Sequence, residues 1–132
     1  MDIENIGIID VPQFKDQRGC LSSIEKNILP FEIKRVFYLY NITKNSFRGR
    51  HAHIEHLTFL IALNGSFDVT LIDTNNNKKI ITLDKPTKGL FVPNMIWHEL
   101  NNFSKGAVCL VLASDEHKEE DYILDFNEFL KS

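Results

Sequence analysis

"HLTFLIALNGSFDVTLIDTNNNKKIITL", residues 56–83, holds three runs rich in Val, Ile, Leu, Phe and Thr, broken at Asn64-Gly65-Ser66 and again at Asp73–Lys78. Runs of this composition bounded by turn residues read as β-strands. The "DTNNNKK" link between Leu71 and Ile80 reads as a hairpin loop, because Asn and Asp tolerate left-handed backbone. Working outward, "KRVFYLYNI" (34–42), "GLFVPNMIWHEL" (89–100) and "AVCLVLAS" (107–114) repeat the pattern, with "TKNSFRG" and "DKPTKG" between them. Strands at a spacing of about ten residues, joined by polar turns, predict an all-β sandwich or small barrel.

Helix is expected only near the end. In "SDEHKEEDYILDFNEFLKS" (114–132), Tyr122, Ile123, Phe126, Phe129 and Leu130 recur at helical spacing. The acidic residues at the start of that segment suit the positive end of a helix dipole.

A chain of 132 residues predicts a single domain over 1–132, large enough to bury a core and too small to divide. The net charge of −3 argues against a surface devoted to nucleic acid, while leaving room for a local site for a smaller anion. No apolar run approaches the roughly 20 residues that a membrane helix needs. The opening "MDIENIGIID" lacks the basic and apolar regions of a signal peptide. Cys20 and Cys109 form neither a disulfide framework nor a CxxC pair, and both are expected as buried free thiols. A reducing cytoplasm fits.

Function concentrates in "FRGRHAHIEH" (47–56), which carries two arginines and three of the chain's five histidines. On a strand, His51 and His53 point to one face, since side chains alternate with a period of two. Arg50 would point to the opposite face. His98 sits on a later strand, after a turn opened by Pro93. A strand HxH, a Gly about a dozen residues on, and a later G-x3-P-x4-H segment resemble the two motifs of the cupin jelly roll, or double-stranded β-helix. Gly49, His51, His53 and Gly65 match the first motif. Gly89, Pro93, His98 and Asn102 follow the second, with Met95 where a Gly is usual.

Metal-binding cupins add a carboxylate four or five residues after the second His. Leu57 and Thr58 stand there instead. Glu55 shares the strand face of His53 but not the ligand position. Three imidazoles alone would suit zinc or iron, yet the metal-free reading leads. His56 and His117 read as solvated residues outside the motif.

"DQRGCLSSIE", "FEIKRVFYLYNI", "RGRHAH", "LNGS", "TLDKPTKGLFVPNMIWHEL", "VLASDEH" and "EEDYILDFNEF" occur in that order. Together, over about residues 10 to 130, they resemble the nucleoside-diphosphate-sugar 3,4-ketoisomerases, which convert dTDP-4-keto-6-deoxyglucose to its 3-keto isomer. Thr58 departs from the family pattern, which usually has Gln there. The resemblance implies a cupin jelly roll with a short C-terminal helix, a homodimer, a dTDP-linked keto-deoxysugar as substrate, and no metal or other cofactor.

The chemistry needs a base near neutrality to take the C3 proton, and His is the side chain that is one unperturbed. The resemblance gives His51 that role. His53 would orient it or bind sugar oxygens, and Tyr38 would supply a phenolic donor to the enediolate oxygen. Arg18, Arg35 and Arg48 match family arginines suited to a diphosphate. Arg18 with His98 looks like the branch that forms the galacto-configured product. Three rivals remain open: a sugar-nucleotide 3,5-epimerase, a metal-dependent cupin such as a dioxygenase, and a non-catalytic sugar-binding cupin.

Overall fold

In the computed structural model, residues 3, 6–25 and 27–132 are described. Part of the opening "MDIENIGIID" therefore lies outside the described residues. Its strand pattern resolves into β1 (Ile8–Asp10), β2 (Gln13–Asp16), β3 (Gly19–Ser22), β4 (Arg35–Leu39), β5 (Arg48–His53) and β6 (Thr58–Asn64). There follow β7 (Phe67–Ile72), β8 (Lys78–Leu83), β9 (Lys88–Val92), β10 (Trp97–Asn101), β11 (Val108–Ala113), a 3-10 turn (Glu119–Asp121), β12 (Tyr122–Ile123) and, among the described residues, one α-helix, α1 (Phe126–Leu130). Two five-stranded sheets run β1-β9-β6-β11-β4 and β12-β5-β10-β7-β8, and among the described residues β2 pairs only with β3. Every pairing between strands is antiparallel. This is a jelly roll.

Alternation explains how the sheets close on each other. Leu60 and Ala62 of β6, Val69 and Leu71 of β7, and Cys109 and Val111 of β11 join one buried cluster between the sheets. The intervening Phe59, Ile61 and Leu112 face outward, where Ile24, Leu29 and Phe31 pack against them. Gly89 is required here, because a Cβ would fall 1.9 Å from the Phe59 ring. On the outside of the other sheet, Ala52, Trp97 and Ile123 pack with Phe129 of α1. The Asp125 side chain caps that helix by accepting from the Asn127 N–H at 2.9 Å.

The hairpin read at "DTNNNKK" is present between β7 and β8. Asp73 accepts from the N–H groups of Asn75 and Asn77, and Asn76 takes φ +63°. Met95, where the motif usually has Gly, holds φ +59°, the left-handed region that glycine enters without cost.

Two expectations are corrected. The helix over the last segment shrinks to five residues, and Tyr122 and Ile123 instead form β12 on the edge of β5, opposite His53 and Ala52. That edge offers unpaired backbone groups, and the Asp121 carbonyl accepts from the Ile54 N–H at 2.9 Å just beyond it. Tertiary pairing overrides helical spacing there. Cys20 is exposed rather than buried, because the β2–β3 hairpin lies on neither sheet, whereas Cys109 is buried in the core.

Candidate active site

A cavity of about 450 Å³ opens between the two sheets, walled by strands of both. The β5–β10 wall carries the histidines. His51 and His53 face inward from β5, and His98, paired with His51, faces inward from β10. Their ring centroids lie 4.9 Å (His51–His53), 4.5 Å (His51–His98) and 5.8 Å (His53–His98) apart. Tyr122 stands beside them from β12, 4.6 Å from the His51 ring and 4.7 Å from the His53 ring.

Simple alternation would send Arg48 to the outside, three residues before His51. A β-bulge corrects the parity. Between His98 and Glu99 the register skips one residue of β5, so that Glu99 pairs with Gly49 and Leu100 with Arg48. Gly49 and Arg50 absorb the extra residue at φ +81° and +59°. Arg48 thereby lines the cavity. Arg50 does not, and its guanidinium lies 4.1 Å over the Phe47 ring. A side chain at Gly49 would meet both the positive φ and the His98 carbonyl at 3.1 Å.

Behind the histidines lies a buried carboxylate that sequence reading missed. Asp121 is 3.0 Å from His53 Nδ1 and 3.3 Å from His56 Nδ1, and it accepts from the Glu55 and His56 N–H groups. His56, expected in solvent, is buried with it and turns its Nε2 toward Asp115 at 3.7 Å. The sequence signals for Asp121 were the family-matching segment "EEDYILDFNEF", which holds Asp121-Tyr122, and the acidic run before Tyr122, which helical spacing absorbed. His117 is exposed, as expected, and its Nδ1 lies 3.2 Å from the Tyr122 hydroxyl.

Burial decides the charge of this cluster. Desolvation lowers the His51 pKa, against a backbone hydrogen bond at Gly49 that raises it. His53 is pushed down to about 4, by desolvation first and the neighbouring His51 second, with Asp121 opposing. His98 falls well below its ordinary value for the same reasons. His51, His53 and His98 therefore stand neutral in the resting cavity at pH 7.

Two of the expected residues do not join the cluster. Tyr38 lies on the outward face of β4 and is 60% exposed, because Arg35, Phe37 and Leu39 take the inward positions. Arg18, in the β2–β3 turn, is exposed and bonded to Asp16 at 2.6 Å, and it does not line the cavity. Arg35 does line it, from β4.

His51, His53 and His98 present ligand atoms within 4.8 Å of one another, as do His53, His56 and Asp121. The first set would suit a divalent transition cation and is open to the cavity. Among the described residues no carboxylate completes it, since Leu57 and Thr58 occupy the positions that would, and Asp121 is engaged behind His53.

Paired antiparallel sheets with histidines on the inner wall define a cupin. The family model described as "FdtA: WxcM-like, C-terminal" matches residues 4–132. The TDP-4-oxo-6-deoxy-alpha-D-glucose-3,4-oxoisomerase of Aneurinibacillus thermoaerophilus is 42% identical, over 94% of this chain and 89% of that protein. The crystal structure of QdtA, a sugar 3,4-ketoisomerase from Thermoanaerobacterium thermosaccharolyticum in complex with TDP, superposes with a TM-score of 0.94 at 37% identity, covering 98% of this chain and 95% of that one. WlaRB, a TDP-quinovose 3,4-ketoisomerase from Campylobacter jejuni, does so with a TM-score of 0.92 at 40% identity, covering 98% and 100%. The chain belongs to the sugar-nucleotide 3,4-ketoisomerase family.

Proposed function

We infer that this chain moves the keto group of a TDP-linked 4-keto-6-deoxyglucose from C4 to C3. The observation that carries the inference is the cavity itself, with neutral His51, His53 and His98 on one wall, Arg48 beside them and Arg35 on the wall opposite. Guanidinium forks bind the diphosphate, which leaves the hexose among the imidazoles.

Two protons must move. The C4 carbonyl acidifies the C3–H, and neutral His51 takes that proton to give an enediolate with its charge on O4. His51 returns the proton to C4. His53 carries the O3 proton across to O4, so that C3 ends as the carbonyl and C4 as the alcohol. Tyr122, in place of the expected Tyr38, hydrogen-bonds the O4 oxyanion while it exists. Asp121 holds the His53 ring with Nδ1 turned away from the cavity and stabilises the imidazolium that forms. A divalent cation on the three imidazoles would polarise the carbonyl, but no step here needs one.

Arg18 can act on this chemistry only if another copy of the chain brings it. The hairpin that bears it pairs with neither sheet and exposes Phe14 and Leu21, at 62% and 60%. The edge strand β4 in turn exposes Val36 and Tyr38, at 57% and 60%. A homodimer that buries these surfaces and lends Arg18 to the partner's cavity accounts for both. With His98 it would then set the face on which C4 receives its proton, giving the galacto-configured product. No helix is long and apolar enough to cross a membrane among the described residues; cytoplasmic action on a nucleotide-linked sugar fits.

An NMR time course with dTDP-4-keto-6-deoxyglucose in D₂O, with and without EDTA, tests the reading. The expected outcome is the 3-keto sugar, with or without chelator, and its C4 configuration read from the ring couplings. Deuterium entering C3 and C5 without carbonyl movement would mean an epimerase. Loss of turnover with EDTA would make the histidines metal ligands, and no turnover at all would leave a sugar-binding protein.

A further inference from the structure

The inner wall of the β4-bearing sheet ends in a row of three side chains. Arg35 pairs with Ala113, and Ala113 pairs with Thr58, so the three stand side by side on β4, β11 and β6 at a strand spacing of about 4.8 Å. All three line the cavity, opposite the histidines. Ala113 is small and leaves a gap between the other two.

Thr58 is 4% exposed, and among the described residues its Oγ1 is the one buried side-chain polar atom without a hydrogen-bond partner. The backbone around it is satisfied otherwise. The Leu57 N–H donates to Ser114 Oγ, and the Ser114 N–H donates to the Leu57 carbonyl. Valine would fill the same volume without stranding a hydroxyl, so folding alone gives no reason for threonine here.

We propose that Thr58 is a substrate-binding residue whose hydroxyl hydrogen-bonds an oxygen of the bound hexose. This rests on the ketoisomerase reading for the identity of the ligand. A phosphate on Arg35 places the adjoining sugar over Ala113, within reach of Thr58 on one side and of the histidines on the other. Because Oγ1 is itself buried, a turn about χ1 brings it to the cavity surface, where the ligand removes the cost that the orphan hydroxyl carries in the ligand-free protein.

Thr58→Val and Thr58→Ser, assayed with dTDP-4-keto-6-deoxyglucose beside the wild type and melted without ligand, test it. The expected result is opposite signs in one variant: Thr58→Val loses about tenfold in kcat/KM while its ligand-free Tm is unchanged or higher. Thr58→Ser, which keeps the hydroxyl, stays within about threefold of the wild type. Wild-type kcat/KM in Thr58→Val would overturn the proposal and leave a bound water as the hydroxyl's partner. So would a fall in its Tm together with activity, which would make the residue structural. A wild type that fails to turn over would overturn the ketoisomerase reading instead, and the ligand's identity with it.

Discussion

β5 and the β2–β3 hairpin are both short, polar and arginine-bearing, and the fold treats them in opposite ways. β5 is bonded along both edges, by β10 and β12, and its bulge turns Arg48 into the same cavity as His51 and His53. Among the described residues the hairpin is bonded only to itself, and its arginine finds no partner beyond the neighbouring Asp16. A side chain held from two edges can be placed to a fraction of an ångström, as proton transfer needs. A self-paired hairpin, marginal alone, acquires a fixed position only from what it docks on. One region has its partners within the chain; the other, in the proposed dimer, would find them outside it.

The sharpest break of that comparison comes from β5. His51→Asn keeps a side chain of similar polarity but removes the base, and turnover should fall by about a thousandfold, with Tm nearly unchanged because the residue is only half-buried. A variant that keeps more than about a tenth of wild-type turnover would move the base to His53 or Tyr122. The hairpin comes next. Arg18→Ala should cost about a hundredfold through the lost charge-assisted contact. Mixing it with His51→Asn should restore activity, since a heterodimer would hold one cavity with both groups intact. Recovery absent at every mixing ratio would place Arg18 outside the partner's site.

Most of the fold was legible because strand composition and turn chemistry agree locally, from the "LNGS" turn to the "DTNNNKK" hairpin. The paired histidines were legible for the same reason: period-two alternation fixes His51 and His53 on one face whatever the tertiary structure. What sequence reading missed depends on non-local pairing. The bulge at Gly49-Arg50 changes which way Arg48 points, and alternation alone gives the wrong answer for it. Tyr122 and Asp121 read as helix because their apolar neighbours recur at helical spacing, and only the free edge of β5 recruits them into a strand and a buried carboxylate. Tyr38 matched a family segment, and its outward parity becomes visible only once Arg35, Phe37 and Leu39 are seen to face the cavity.

Asp121 offers a finer cut within the β5 region, because it never faces the cavity. Asp121→Asn preserves an acceptor for the Glu55 N–H but removes the negative charge and carboxylate bond that raise the His53 pKa. His53 should then be harder to protonate, so kcat should fall about tenfold while KM holds. The acid limb of the kcat profile should move to lower pH. A KM effect alone would make Asp121 a prop for the cavity wall rather than a partner of His53 in proton transfer.

The smallest expected effect is on stability, and its sign follows from burial. His53 is pushed to about 4 in the folded chain against an ordinary value of 6.5, so between those values the unfolded chain binds the additional proton. Stability from keeping this ring neutral is fully present above pH 6.5 and is lost as pH falls toward 4; His51 and His98, also lowered by burial, act in the same direction. Thermal melts should therefore show Tm declining from pH 7 to pH 4 more shallowly in His53→Asn than in the wild type. Parallel slopes for wild type and His53→Asn would mean that the fold does not resist protonation of this ring, and that burial is not what keeps it neutral.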